Sequence, residues 1–263
     1  MPWATRGLRD GVITTRWPQR PDEYDDGFVG SIDITSTEAD DRETDRAIDA
    51  CPTRAIYRGE DGRLRLDRGR CILCGRCPVI APHTFAWREG SDLAGLTRRS
   101  IVVGEPAETE DALRALRAEL AARVRRLRRS VHLRHVDTGS DGSDEWEVQA
   151  LTNPVYALHR LGIFFTASPR HADILLVTGL GAHGMTSALR ATLDAMPAPT
   201  VVVATGVDAI SGGIIGSGYA TAGGIGGLLD VDVWVPGSPA SPFAILHGIL
   251  LALDRLPTRT GPR

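Results

Sequence analysis

Cys71-Ile72-Leu73-Cys74-Gly75-Arg76-Cys77 decides how the front of this chain is read: it supplies three thiols at CxxCxxC spacing, and a fourth, Cys51, stands directly before Pro52. These are the only cysteines in 263 residues. A triad in tight loops plus one cysteine from a separate Cys-Pro makes the ligand set of a single 4Fe-4S cube. Such a cube takes a soft thiolate on each of four corners, with backbone N–H groups turned toward its sulfides. Tetrahedral zinc is the alternative that CxxC pairs leave open, and unbound thiols are another.

Over residues 30 to 100 this spacing resembles the bacterial-type ferredoxins, in which the triad of one motif shares its cube with the Cys-Pro cysteine of the other. Counting back from Cys51, the first motif of that family would place thiols at 41, 44 and 47, where this chain has Asp41, Thr44 and Ala47. The last cysteine of the second motif would precede Pro82, where Ala81 stands. All four ligands of one cube are gone and all four of the other remain. The resemblance implies an α+β ferredoxin-like domain over 31–104 with one 4Fe-4S cluster on Cys51, Cys71, Cys74 and Cys77.

Length and composition fit about two domains, and a hydrophobic content of 42% is enough for a sizeable core in at least one. A net charge of -3 argues against a nucleic-acid binder, which usually carries a basic footprint. No apolar run approaches the roughly 20 residues needed to span a bilayer, and the first twenty residues lack the apolar stretch of a signal peptide. The expected location is the cytoplasm, where reduced thiols favour metal ligation over disulfides.

Residues 1–30 are rich in Arg, Asp, Pro and Gly without a period and read as an extended arm lying on a partner or on the body. A linker helix is expected over 105–130, with Pro106 in its first turn and Leu113, Leu116, Leu120, Val124 and Leu127 at spacings of three and four. Its end carries Arg123, Arg125, Arg126, Arg128 and Arg129. That cluster suits either a solvated helix C-terminus or docking on an acidic partner or anionic lipid.

From 131 to 258 strand and helix signals alternate. Short β-branched runs are expected as strands at 131–136, 162–166, 173–178, 200–204 and 231–235, with helices around 146–161, 186–195 and 240–253. This pattern predicts an α/β doubly wound, flavodoxin-like parallel sheet with ligands outside the C-terminal strand ends. Gly179-Leu180-Gly181-Ala182-His183-Gly184 is formally a dinucleotide fingerprint after a strand, but the acidic residue due about 20 positions on is missing, since Asp194 falls inside a helical pattern. No hydrolase elbow or phosphate loop occurs. His83, His135, His183 and His247 form no metal-binding spacing, and His171 reads as a packing or capping residue.

Several motifs together carry a second resemblance: His135-Val136-Asp137-Thr138-Gly139-Ser140, Glu145, Ala150-Leu151-Thr152-Asn153-Pro154, Ala167-Ser168-Pro169-Arg170-His171-Ala172-Asp173 and Pro236-Gly237. About half the chain resembles the small iron-sulfur subunit of energy-converting nickel-iron hydrogenases, formate hydrogenlyase and the 20 kDa subunit of respiratory complex I. In that family the subunit packs on a large catalytic subunit and holds the 4Fe-4S cluster nearest the active site, and a ferredoxin-like subunit feeds it electrons. This chain resembles the two neighbours fused.

The family motif Gly-Ser-Cys-x-x-Cys-Glu is here Gly139-Ser140-Asp141-Gly142-Ser143-Asp144-Glu145, and the third and fourth ligand positions fall at Asp208 and Ser238. Carboxylates and a hydroxyl are hard ligands, poor for an iron-sulfur cube and better suited to Mg or Ca. An empty, hydrated or salt-bridged pocket is the plainer expectation, with a hard-cation or proton-handling role as alternatives. Glu145 and Glu147 beside the lost ligands read as solvated charge at a helix start. The glycines between 206 and 227 read as the loop that the family folds over its cluster, here expected to be mobile.

The expected function is an electron-transfer subunit, not catalytic alone, of a hydrogenase-like or complex-I-like assembly. It would carry one cluster, lack the proximal one, and sit on the inner face of the membrane through a large subunit and membrane subunits. The alternative is a scaffold or regulatory subunit whose cluster is structural.

Overall fold

The computed structural model describes residues 3–11, 13–20, 22, 25, 27–36, 41–106, 108–125, 127 and 130–256. The arm is not extended throughout: α1 (Trp3–Asp10) opens it, with every residue exposed. Arg6 and Asp10, one turn apart, pair along that helix. The arm meets the body at Trp17, which is 6% exposed and stands edge-on to Phe243 with ring centroids 5.7 Å apart. Arg160 fixes the same segment, donating to the Trp17 carbonyl at 3.0 Å and to Gln19 at 2.9 Å.

Two small antiparallel sheets build the front domain. Strand β1 (Val29–Ile34) is followed by α2 (Asp41–Asp49), then by β2 (Ile56–Arg58) and β3 (Leu64–Asp67), α3 (Arg76–Ile80) and β4 (Phe85–Glu89). The outer strands β1 and β4 pair, with Ile32 opposite Trp87. The inner strands β2 and β3 pair, and β5 (Val102–Val103) adds to β3. The β2–β3 hairpin turns at Asp61-Gly62, where Gly62 takes φ 74°, a conformation glycine adopts without a Cβ penalty. Ile32, Ile56, Leu66 and Phe85 are buried between the sheets and helices.

The joining helix α4 (Glu110–Val124) starts later than Pro106 suggests, because Thr109 caps it by accepting from the Ala112 N–H at 3.2 Å. Its apolar stripe is used only at its end: Leu120 and Val124 are buried, while Leu116 is exposed. Arg123 forms an ion pair with Asp232, so this member of the basic cluster is held within the chain. Arg126, Arg128 and Arg129 lie outside the described residues.

The rear domain is a five-stranded sheet in the order β10-β9-β8-β6-β7, and every adjacent pair is parallel. Its strands are β6 (Val131–Asp137), β7 (Ile163–Phe165), β8 (Ile174–Thr178), β9 (Val201–Thr205) and β10 (Val233–Val235). Counted within the sheet this is 2-1-3-4-5, the flavodoxin-like winding, whose switch point lies between β6 and β8. β8 and β9 are buried along their whole length, as central parallel strands covered on both faces must be.

One face is covered by α8 (Pro242–Ala252), whose Phe243, Ile245, Leu246, Ile249 and Leu250 are buried, each contributing roughly 1.5–3 kcal/mol. The other face is covered by α6 (Thr186–Asp194) and α7 (Gly206–Ser211). The helix expected over 146–161 is shorter: α5 (Ser143–Ala150) gives way to two 3-10 turns, because Asn153 caps a new turn at Pro154 by accepting from the Val155 N–H.

The two domains share their packing. Gly95 bridges to Trp234 at the edge of the rear sheet, the Ala94 N–H donates to Nδ1 of His247 at 3.3 Å, and Ile101 is buried in the rear domain's second core.

Candidate functional site

Cys51 follows α2, Cys71 and Cys74 lie on the loop from β3 into α3, and Cys77 is in the first turn of α3, so elements distant in sequence converge on one cavity. All four cysteines line that cavity, with Ile32, Ile56 and Leu66 as its apolar wall. None forms a disulfide; Cys77 is buried, Cys51 and Cys71 are half-buried and Cys74 is exposed. The loop is bent by Leu73 at φ 53° and Gly75 at φ 72°, and a Cβ on Gly75 would meet the Trp87 ring at 2.9 Å. The Ala55 N–H donates to Sγ of Cys51 at 3.2 Å.

Burial pushes the Cys71 thiol up to about 11, with neighbouring thiols adding and the Leu73 N–H and the Arg68 charge opposing. Burial and the neighbouring thiols push Cys77 up to about 12. Thiolates gathered this way need a cationic core to hold them deprotonated. Among the described residues no three His, Cys, Asp or Glu side chains are grouped as around a single metal ion. Ligands to a cube stand further apart, because each binds a different iron.

Of the positions at which the ferredoxin resemblance lacks its other cysteines, three are closed, and the side chain of the fourth, Asp41, lies outside what the structure describes. Ala47 and Ala81 are buried at 1% and 0% exposure, and the hydroxyl of Thr44 lies 3.3 Å from that of Thr84. A second cavity is lined by Arg68, Cys71 and Leu73 together with Pro236 and Gly237 of the rear domain. Arg68 is largely buried and paired with Asp33, and burial lowers its pKa while Asp33 opposes the shift.

At the C-terminal ends of the rear strands the structure gathers the oxygen-bearing positions. Asp141 follows β6, Asp144 begins α5, Asp208 is in the first turn of α7, and Ser238 follows β10. Asp144 is 3% exposed and accepts from the Ala240 N–H at 2.9 Å. Burial pushes its carboxyl up to about 7, and Asp208, Glu145 and Asp141 add to the shift. Asp208 is also raised, by burial and then by Asp141. Asp141 is held below the ordinary carboxylate range by the Ser143 hydroxyl and N–H, at 2.6 and 2.9 Å.

Glycine makes room for these carboxylates. A Cβ on Gly206, at φ 83°, would fall 1.8 Å from Oδ2 of Asp144, and one on Gly213 would fall 2.0 Å from Oδ1 of Asp208. Ser238 is half-buried and adjoins Gly237, whose carbonyl accepts from the Val207 N–H.

Glu145 is more than solvated helix-start charge. Its two carboxylate oxygens accept from the hydroxyls of Thr178 and Ser140. Because the Thr178 hydrogen is committed to Glu145, its oxygen takes the bond from Nε2 of His135 at 2.9 Å, which sets that imidazole's tautomer. Burial holds the His135 pKa down. Sequence reading missed this chain of contacts, since its members come from β6, α5 and β8.

Four successive backbone N–H groups of the glycine fingerprint after β8 are committed within the chain and not open to a pyrophosphate. Leu180 and Ala182 donate to the carbonyls of Gly139 and Thr138, Gly181 donates to the Thr138 hydroxyl, and His183 donates to Ala220. The glycine-rich segment itself is tied back, with Gly224 donating to Leu180 and Ile225 to Ala209, while Tyr219 stands fully exposed.

Residues 142–252 match the family described as NADH ubiquinone oxidoreductase, 20 Kd subunit. The chain is 37% identical over 152 residues to formate hydrogenlyase subunit 7 of Escherichia coli (strain K12), a match covering 57% of this chain and 58% of that relative. It is 38% identical over 128 residues to the probable membrane-bound hydrogenase subunit mbhJ of Pyrococcus furiosus, covering 49% of this chain and 77% of the relative. With an NADH-quinone oxidoreductase subunit of Citrifermentans bemidjiense the identity is 38% over 110 residues, covering 42% of this chain and 64% of the relative. With its flavodoxin-like sheet and these identities, the chain belongs to the 20 kDa NADH-quinone oxidoreductase and hydrogenase subunit family.

Proposed function

We propose that this chain is an iron-sulfur electron-transfer subunit of a membrane-associated, hydrogenase-like or complex-I-like oxidoreductase complex. One 4Fe-4S cluster sits on Cys51, Cys71, Cys74 and Cys77, and none sits at Asp141, Asp144, Asp208 and Ser238. The observation that carries this reading is the convergence of all four cysteines on one apolar-walled cavity. The β-α-β-β-α-β order of the front domain supports a ferredoxin-like assignment. The relatives named above are subunits of formate hydrogenlyase, a membrane-bound hydrogenase and an NADH-quinone oxidoreductase.

The donor set fits the group. Four soft thiolates suit iron-sulfur chemistry, and the closed positions at Thr44, Ala47 and Ala81 leave space for one cube in the front domain. When bound, the cube supplies a one-electron store. Cys51 would hold one corner with the Ala55 N–H donating to its sulfur, and the left-handed residues Leu73 and Gly75 bend the loop that carries Cys71 and Cys74. Ile32, Ile56 and Leu66 keep water from one side.

The electron would come from a low-potential one-electron donor and leave to a centre in a partner, with no proton taken up by the thiolates. Large and membrane subunits are the proposed partners and hold the chain at the inner face of the membrane. Among the described residues no helix is long and apolar enough to cross one.

Anaerobic purification tests the reading. The expected result is about four irons and four sulfides per chain and an EPR signal on dithionite reduction; a colourless, iron-free chain rejects it. The oxygen ligands at the rear site favour a second reading, a scaffold subunit with a structural cluster. A cube that cannot be reduced and reoxidised at potentials accessible to biological donors selects that reading.

A further inference from the structure

Arg68 follows β3 and stands three residues before Cys71, whose N–H donates to the Arg68 carbonyl at 3.3 Å. The Arg68 N–H in turn donates to Ile101 at 3.2 Å. With its backbone pinned on both sides, the side chain is 15% exposed and gives one guanidinium nitrogen to Asp33 of β1. Its Nε–H is buried and has no hydrogen-bond partner among the described residues. The same side chain, with Cys71 and Leu73, lines the cavity that runs to Pro236 and Gly237. Arg68 does not line the cavity of the four cysteines, but it shares this adjoining one with Cys71, on whose thiol its charge acts. A buried guanidinium N–H without an acceptor is unfavourable, and negative charge held at Cys71 offsets that cost.

We propose that Arg68 is the electrostatic partner of the cluster on the side facing the rear domain, raising its reduction potential. This rests on the cluster reading above. Four thiolates around an iron-sulfur core leave it net negative, and reduction adds one further negative charge. A fixed cation beside Cys71 therefore stabilises the reduced state more than the oxidised one.

The charges facing Arg68 are Asp33, Arg88 and Asp92, with Arg88 lying 3.6 Å from Asp33 and 3.3 Å from Asp92. The group balances two cations with two carboxylates. Removing the Arg68 charge leaves it net negative, and removing the Asp33 charge leaves it net positive.

The experiment is an EPR-monitored potentiometric titration of the full chain, purified anaerobically, with dithionite as reductant. Arg68→Gln is expected to lower the midpoint by about 59 mV or more, a tenfold shift in the one-electron equilibrium. Asp33→Asn is expected to raise it, and Arg68→Lys to fall between wild type and Arg68→Gln. Wild-type potentials in both Arg68→Gln and Asp33→Asn, with iron content retained, overturn the proposal. If Arg68→Gln does not assemble, an unshifted potential in Asp33→Asn overturns it. A wild-type chain without iron fails the cluster reading itself, whereas iron with unshifted potentials fails this proposal alone.

Discussion

The front and rear domains each carry other residues where the families they resemble place cysteines, and the two sets of positions are built differently. In the front domain Ala47 and Ala81 are buried in the core and Thr44 meets Thr84. In the rear domain the positions remain polar and gathered, with Asp144 against Gly206 and Asp208 against Gly213. Small side chains and a hydroxyl pair fill the front positions at Thr44, Ala47 and Ala81, whereas the rear positions present hard oxygen atoms. The rear site thus holds a buried titratable carboxylate, Asp144, and the two respond to different perturbations.

The contrast breaks most visibly at the thiols. Cys74→Ala should reduce iron from about four per chain to near zero, since the exposed corner has no replacement ligand. Asp208→Asn should leave iron unchanged, as measured by metal analysis and absorbance. Iron loss in the second variant would mean that the rear site also holds metal.

The next effect in size is pH dependence at the rear site. With its folded pKa raised to about 7, Asp144 holds a proton in the folded state that the unfolded chain has released above its ordinary carboxylate pKa. Stability from this group is therefore greatest at low pH and falls as pH rises toward 7, by up to roughly 4 kcal/mol at full effect. Asp144→Asn keeps an acceptor for the Ala240 N–H and should flatten the melting temperature between pH 5 and 8. It should also be more stable than wild type at pH 8. An unchanged slope would mean that Asp144 does not titrate in that window.

The docking of the arm gives a smaller effect. Trp17→Ala removes the edge-on contact with Phe243 and should cost about 3 kcal/mol of rear-domain stability, leaving the cluster's absorbance intact. A parallel loss of iron would mean that arm and front domain unfold together. Least of all, Thr109→Ala removes the cap of the joining helix and should cost about 1 kcal/mol in chemical denaturation, with no change in iron.

How much was legible in the sequence depended on whether the relevant contacts are local. CxxCxxC is a local spacing, and the five rear strands lie close to where their β-branched runs placed them, because central parallel strands are apolar throughout. Helix ends were less legible. The helical pattern expected around 146–161 runs past Asn153-Pro154, where a side-chain cap starts a new turn instead. Pro106 reads as a first-turn residue, but the helix begins after Thr109, which accepts from the Ala112 N–H. Neither the bond from Arg68 to Asp33, 35 positions away, nor the chain from His135 through Thr178 to Glu145 has any periodic signal.

The sequence by itself determined which donor atoms each domain offers, four thiols in front and carboxylates with a hydroxyl behind, because donor hardness is a property of residue type. Only the tertiary structure decided which charges face which. It buried Asp144 beside Asp208, tied Glu145 to two hydroxyls and left the Arg68 Nε–H without a partner among the described residues, in a residue that lines one cavity with Cys71 and Gly237. Burial and long-range approach set electrostatic energies, and both arise only when distant elements pack.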